Sequence, residues 1–250
     1  LKPDLKNDLE NLRVVLVAPR NPLNIGAAAR AMSNFGCMHL RLVNPYQVAF
    51  HEARSAVHSG DVLQAAREYE TLPEAIADCG LVVGTTSIGN RELQHTIRRL
   101  EPAGRLMRAH LAANRVALLF GSEKFGLSND DLTYCHWLLR IPTREEHGSM
   151  NLGQAVAVCL YDLSRRSTAK KTELVKTATS AEKLDRLTGT LIDLLGECGY
   201  VHADSTPAKI RRLIRRMNLA PHDTEMWFGM LRQIGWKVKQ GRPGPPQSEV

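Results

Sequence analysis

Short apolar runs alternate with helical patterns through the first two-thirds of the chain. Arg13–Val17, Leu40–Val43, Leu81–Gly84, Val116–Phe120 and Trp137–Ile141 are brief and mostly apolar throughout. Strands covered on both faces of a parallel sheet look like this, because neither face is left for polar residues. Helical spacing marks Ile25–Phe35, Leu72–Cys79, Gly104–Ala113, Asp130–Cys135 and Asn151–Arg165 between and after them. Strand–helix alternation of this kind predicts an α/β fold with a mostly parallel sheet.

The pattern changes after Arg166. Residues 1–166 read as one α/β domain, and residues 167–180, rich in Ser, Thr, Lys and Ala, read as a linker. Residues 181–236 carry three helical patterns and form a small C-terminal helical extension. Leu184, Leu187, Leu191, Leu194 and Leu195 make a stripe in the first. Thr206 followed by Pro207 is a start signal for the second. Ile210, Leu213, Ile214 and Met217 line one face of that helix. Lys209, Arg211, Arg212, Arg215 and Arg216 cover the rest and are expected to point outward. The third helix is expected from about His222 to Ile234. Residues 237–250, with Gly241-Arg242-Pro243-Gly244-Pro245-Pro246, read as a disordered tail.

Charge sharpens this division. The 250 residues are 43% hydrophobic and 24% charged, ordinary for a globular chain. The net charge is +7, of which residues 1–166 supply +2 and residues 167–250 supply +5. A basic excess concentrated in the extension suits a polyanion such as nucleic acid. The five cysteines, Cys37, Cys79, Cys135, Cys159 and Cys198, form no C-x-x-C pair, as expected of reduced thiols. His51 and His58 could share a helix face, but nothing completes a ligand set, so no metal is expected. The opening Leu1-Lys2-Pro3-Asp4 is too charged for a secretory signal, and no apolar run approaches the roughly 20 residues of a membrane helix. A cytoplasmic protein without membrane attachment is expected.

Three segments follow strands at their C-terminal ends, where open α/β sheets bind ligands. In Ala18-Pro19-Arg20-Asn21-Pro22-Leu23-Asn24-Ile25-Gly26-Ala27-Ala28-Ala29-Arg30, Asn24 is a candidate helix cap and the small residues permit close backbone approach. Arg30 is either a solvated helix arginine or a clamp for phosphate or substrate. In Leu119-Phe120-Gly121-Ser122-Glu123-Lys124-Phe125-Gly126-Leu127-Ser128, two glycines five apart are reminiscent of a P-loop. Leu127 stands where its lysine should be, which disfavours triphosphate cleavage. A tight turn before a helix capped at Ser128 or Asn129 is the plainer reading, and a turn can also be a ligand site. The third segment, Ile141-Pro142-Thr143-Arg144-Glu145-Glu146-His147-Gly148-Ser149-Met150-Asn151, enters a helix that Ser149 could cap. His147 lacks a visible orienting partner and reads as a solvated histidine rather than a general base.

In order, spacing and content these segments resemble the three motifs of the SPOUT superfamily, TrmH branch. Asn24-Ile25-Gly26-Ala27-Ala28-Ala29-Arg30 is similar to its N-x-G-x-x-x-R segment. Phe120-Gly121-Ser122-Glu123 with Gly126-Leu127 is similar to the second motif. Ile141-Pro142 with Ser149-Met150-Asn151 is similar to the third, Met150 replacing the usual leucine. The resemblance spans about residues 12–235. It implies a parallel α/β sheet with a C-terminal trefoil knot, Asn151–Arg165 being the threaded helix. It implies S-adenosylmethionine bound by Thr85, Thr86, Ser87, Gly121, Ile141, Ser149, Met150 and Asn151. It implies roles at the reacting centre for Arg30, Asn24, Glu123, Ser149 and Asn151, with Arg30 as either base or electrostatic stabiliser. The reaction implied is 2′-O-methylation of a tRNA ribose, at cytidine or uridine of position 32, the first nucleotide of the anticodon loop. A homodimer with shared active sites is implied, with Arg211, Arg212, Arg215 and Arg216 as RNA contacts. Two rivals stand beside this reading: ribosomal RNA as substrate, and a non-catalytic RNA-binding protein on the same fold.

Overall fold

The structure is a computed structural model that describes residues 9–55, 60–87, 94–144, 149–165, 177–201, 203–204 and 206–240. Expectations for the first eight residues, His58, His147, most of the linker and residues 241–250 lie outside the described residues.

Among the described residues, seven strands form one sheet in the order β3-β2-β1-β6-β4-β7-β5, and every pairing between them is parallel. They are β1 (Leu12–Val17), β2 (Leu40–Val43), β3 (Arg67–Tyr69), β4 (Leu81–Thr85), β5 (Ile97–Arg99), β6 (Val116–Phe120) and β7 (Trp137–Arg140). The five expected strands occupy the five inner positions. The two unexpected ones, β3 and β5, are three-residue edge strands of largely exposed polar residues. They carry no apolar run, because an edge strand has less to bury.

Side-chain alternation along each strand feeds two cores. Val14, Leu16, Leu118 and Phe120 join one face with α1 (Pro22–Asn34), α5 (Leu100–Leu111) and α7 (Leu152–Ser164). On this side lie also α2 (Gln47–Ser55) and α3 (Gly60–Gln64), through Phe50, Val62 and Leu63. Val15, Val17, Ala117 and Leu119 join the other face with α4 (Leu72–Ile76) and α6 (Asn129–Thr133). A third core lies within the extension, between α8 (Ala181–Glu197), α9 (Thr206–Arg216) and α10 (Pro221–Gln240).

The chain order explains the shape of the C-terminal half. After β6 the chain passes β4 and inserts β7 between β4 and the already placed edge strand β5. Then α7 returns to the opposite core and packs on α1 and α5. This is an α/β parallel-sheet fold with the knot-forming topology that the resemblance implies. The crossing is close: a Cβ on Gly153 would lie 2.5 Å from the Cβ of Ala27. Ala27 and the backbone of Ala28 therefore receive the close approach of α7 at Gly153.

Several expectations change. Asn21, not Asn24, caps α1, its side chain accepting from Leu23 N–H. Asn151, not Ser149, caps α7, accepting from the N–H groups of Gly153 and Gln154. The end of the expected linker is packed against the main domain and α10. Ala178 N–H donates to Asn114 Oδ1 at 2.7 Å, and Thr179 is buried with its hydroxyl 2.8 Å from that of Thr224. The expected tail also begins too early, because α10 continues to Gln240. In α9, Ile210 and Ile214 are buried, while Leu213 and Met217 are exposed.

Candidate active site

A cleft of about 460 Å³ opens at the C-terminal ends of β4, β6 and β7. Its size suits a small-molecule cofactor. All eight residues expected to hold a cofactor line it: Thr85, Thr86 and Ser87 from β4, Gly121 after β6, Ile141 after β7, and Ser149, Met150 and Asn151 before α7. Asn24 and Glu123 line it too. Its apolar walls are Leu127, which the second motif includes, and Leu132 and Leu139, which were not singled out by sequence. Phe125 sits at the mouth, 66% exposed, with Lys124 Nζ 5.1 Å from its ring centre. The turn between Gly121 and Gly126 was the available signal for these two.

Local backbone chemistry builds each wall. Thr85 Oγ1 donates to Leu119 O at 2.8 Å and Thr86 N–H to Leu139 O at 2.9 Å, tying the ends of β4, β6 and β7 together. The turn after β6 closes with Gly126 N–H donating to Ser122 O at 2.8 Å. Gly126 has φ +68°, in the left-handed region that favours glycine. Gly121 is required for a different reason: a Cβ there would lie 1.9 Å from Gly126 C. On the far side, Ala18 leaves β1 at φ +48°, strained for a residue with a side chain. That turn carries the next residues toward Glu123.

Glu123 is the hub. Its carboxylate accepts from Asn24 Nδ2 at 3.0 Å and from the N–H groups of Arg20 and Asn21, each at 3.2 Å. Asn24 Oδ1 in turn accepts from Asn151 Nδ2 at 2.8 Å. Asn151 Oδ1 then caps α7, at 3.0 Å from Gly153 N and 3.3 Å from Gln154 N. One polar chain thus joins all three segments. Burial pushes the Glu123 carboxyl up, but its own N–H, Asn24 and the N–H groups of Arg20 and Asn21 outweigh it. The group is held below the ordinary carboxylate range and stays an acceptor. Its structural role is to fix loops, since its oxygens are already engaged.

Arg30 is not in this cleft. It is exposed on α1, six positions after Asn24, or about 240° around the helix axis. Asn24 faces its own chain's cleft, so Arg30 projects elsewhere. Exposed Leu23 and Tyr161 lie on α1 and α7, the two helices packed against each other there.

The four arginines assigned to RNA divide. Arg215 is fully buried, its Nη2 donating to Asp185 Oδ1 at 2.8 Å and to Ala181 O at 3.3 Å. Arg211 is largely covered and spent on Asp130, Thr133 and the Tyr134 ring. Neither is an outward cation. The α9 surface cannot be read as apolar stripe against basic remainder, because acidic and aromatic groups of other elements draw these two inward. Arg212 is half-buried and Arg216 exposed, and both lie near His95, whose pKa burial lowers first and their charges lower further. Among the described residues no cluster of three or more His, Cys, Asp or Glu could hold a metal ion. Among them too, no helix is long and apolar enough to cross a membrane.

Comparison with known proteins adds to this geometry. A model described as the SpoU rRNA Methylase family matches residues 11–161. The tRNA (cytidine/uridine-2′-O-)-methyltransferase TrmJ of Sodalis glossinidius is 34% identical over 247 residues, covering 95% of this chain and 96% of the relative. Its counterpart in Photorhabdus laumondii is 33% identical over 236 residues, covering 90% of this chain and 97% of the relative. Among solved structures, that of TrmJ from Z. mobilis ZM4 superposes with a TM-score of 0.76 at 30% identity, covering 89% of this chain and 98% of that one.

Proposed function

The chain belongs to the SpoU methylase family, in the TrmH branch of the SPOUT superfamily, and from that we propose that it transfers methyl groups from S-adenosylmethionine to a ribose 2′-hydroxyl of tRNA. The observation that carries the proposal is the Glu123–Asn24–Asn151 chain of hydrogen bonds. It joins the three family motifs around one cleft, and the likeness to the TrmJ enzymes runs through the extension. Ribosomal RNA is the second reading, favoured by the match to the SpoU rRNA methylase family.

The cleft fits the cofactor. Polar groups of Thr85, Thr86, Ser87, Ser149 and Asn151 face the apolar walls Leu127, Leu132 and Leu139, and Gly121 leaves room that a Cβ would take from its own turn. Thr85, Thr86, Ser87, Gly121, Ile141, Ser149, Met150 and Asn151 would hold it, largely through backbone groups. When bound, S-adenosylmethionine supplies an already activated methyl group. The chain's own task is then to orient the ribose hydroxyl and to stabilise the charge that develops as its proton leaves. Arg30 is the residue for that work. A guanidinium is effectively always protonated, so it acts as an electrostatic stabiliser of alkoxide and phosphate rather than as a base.

Arg30 projects away from its own cleft, which supports a homodimer in which a second copy supplies it. The exposed Leu23 and Tyr161 give that face apolar surface to bury. Of the four α9 arginines, Arg212 and Arg216, not Arg211 and Arg215, are available to RNA. The target nucleotide is a cytidine or uridine, in keeping with the names of the relatives, and the position proposed for it is the first of the anticodon loop. A cytoplasmic setting goes with a tRNA substrate, and Cys37, Cys79, Cys135 and Cys159 are buried free thiols.

Mixed dimers test the proposal. Arg30→Ala should bind S-adenosylmethionine normally yet lose about 3 kcal/mol of transition-state stabilisation. Asn151→Ala should fail through its cleft. Refolded together, the two inactive variants should regain one working site per heterodimer. No recovery in a verified heterodimer would mean that each site is built within one chain.

A further inference from the structure

The extension reaches the back wall of the cleft. Helix α6 is only five residues long, too short to hold itself by its own hydrogen bonds. Its first end is fixed by a capping box between Ser128 and Asp131. Its inner side presents Leu132 to the cleft, beside Leu127 from the preceding turn. Its outer side meets α9. There Arg211 Nη1 donates to Thr133 Oγ1 at 2.9 Å and to Asp130 Oδ1 at 3.1 Å. The Arg211 guanidinium carbon also lies 4.2 Å from the centre of the Tyr134 ring, at the helix C-cap.

The other flank of α9 is anchored to the main domain. Arg215, one turn on, is fully buried against Asp185 and Ala181 O of α8. The start of α8 is bonded to the base of the sheet, with Ala181 N–H donating to Cys79 O at 2.8 Å and Glu182 N–H to Ala77 O at 3.1 Å. Helix α9 is therefore a brace between the sheet's base and the wall helix of the cleft.

We propose that Arg211 is a positioning residue for the cofactor: it holds α6, and through Leu132 and Leu127 the cleft wall, in the shape that binds S-adenosylmethionine. The extension then acts on the cofactor site as well as on RNA. Arg211 is poorly placed to serve RNA itself, because its side chain is only 20% exposed and its charge is spent within the chain. Lysine could not replace it, since an ammonium offers neither the planar fork nor the stack on Tyr134. The inference rests on the reading of the cleft as a cofactor site.

Calorimetric titration of S-adenosylmethionine into full-length wild type, Arg211→Ala and Asp130→Ala tests it, with tRNA affinity measured in parallel. Arg211→Ala should weaken cofactor binding about fivefold, as expected for one lost charge-assisted hydrogen bond. KM for the cofactor should rise alongside, with kcat at saturation and tRNA affinity each within about twofold. Asp130, largely exposed, can be truncated without loss of the fold. Asp130→Ala should shift cofactor affinity the same way by less, and combine with Arg211→Ala less than additively. Cofactor affinity within about twofold of wild type in both variants overturns the proposal, whatever the change in melting temperature. A fall in tRNA affinity at unchanged cofactor affinity overturns it too and makes Arg211 an RNA contact. If wild type itself binds no S-adenosylmethionine, the proposed function fails as well.

Discussion

Replacing Asn24 by Asp exchanges an amide for a carboxylate at almost no change in volume. In the native chain Asn24 Nδ2 donates to Glu123 Oε1 at 3.0 Å while Oδ1 accepts from Asn151 Nδ2 at 2.8 Å. Aspartate keeps the second bond and turns the first into a contact between two carboxylates. Like charges about 4 Å apart repel by about 1 kcal/mol in water and about 4 kcal/mol at an effective dielectric of 20. Glu123 and Asn24 stand between those limits, so about 2 kcal/mol is the reasonable figure. Losing the hydrogen bond to a charged acceptor adds about 1 kcal/mol. Much of this should appear as a loosened cleft, with S-adenosylmethionine affinity about ten- to a hundredfold weaker at pH 7.5. The sign of the pH effect is opposite to the native one. Glu123 is held low by its donors. In the variant the two carboxyls compete, one pKa rises, and a shared proton is favoured. Lowering the pH to about 5 should therefore recover affinity in Asn24→Asp and not improve wild type. Titration calorimetry at both pH values measures it. Full affinity at pH 7.5 would refute the view that this chain of bonds holds the cleft together.

Three further outcomes are expected. Gly153→Val should destabilise the fold by about 2 kcal/mol or more, seen in urea unfolding, because its Cβ would overlap Ala27 at the α1–α7 crossing. His136 is fully buried, its Nδ1 accepting from Val82 N–H at 3.1 Å, and burial first, then Arg215, pushes its pKa down to about 3. The unfolded chain takes up this proton near pH 6.5. Stability from this group is therefore complete above that pH and lost toward pH 3, by at most about 1.4 kcal/mol per pH unit; His136→Gln should flatten the slope between pH 6.5 and 4. Replacing Arg212 and Arg216 by Gln should weaken tRNA binding and reduce its log–log salt slope by roughly 0.7–0.9 per lost phosphate contact, with cofactor affinity unchanged; an unchanged slope would remove both residues from the RNA surface.

Much of the fold was legible in the sequence, for physical reasons that also mark its limits. The inner strands announced themselves because burial on both faces demands continuous apolar runs. The edge strands Arg67–Tyr69 and Ile97–Arg99 did not, because exposure leaves polar residues there. The cleft residues were named through the resemblance to the family motifs, and such motifs persist because tight turns and helix starts restrict residue type. Gly121 and Asn151 each occupy a position that few side chains could fill. The Glu123–Asn24–Asn151 chain was beyond reach, since it joins residues about a hundred positions apart. The extension misled most. Five cations around an apolar stripe look like an RNA-facing helix, yet Asp185, Asp130 and Tyr134 from other elements claim Arg215 and Arg211. Periodicity within one helix carries no information about the charge of its neighbours.

Incubating the protein with unmodified tRNA and S-adenosylmethionine carrying a labelled methyl group, then mapping the product by nuclease digestion and mass spectrometry, decides whether a tRNA ribose is the methyl acceptor. One labelled 2′-O-methylcytidine or 2′-O-methyluridine is expected, at the first nucleotide of the anticodon loop, and none with Arg30→Ala. A label on a base, or labelling of ribosomal RNA with tRNA left untouched, would contradict it.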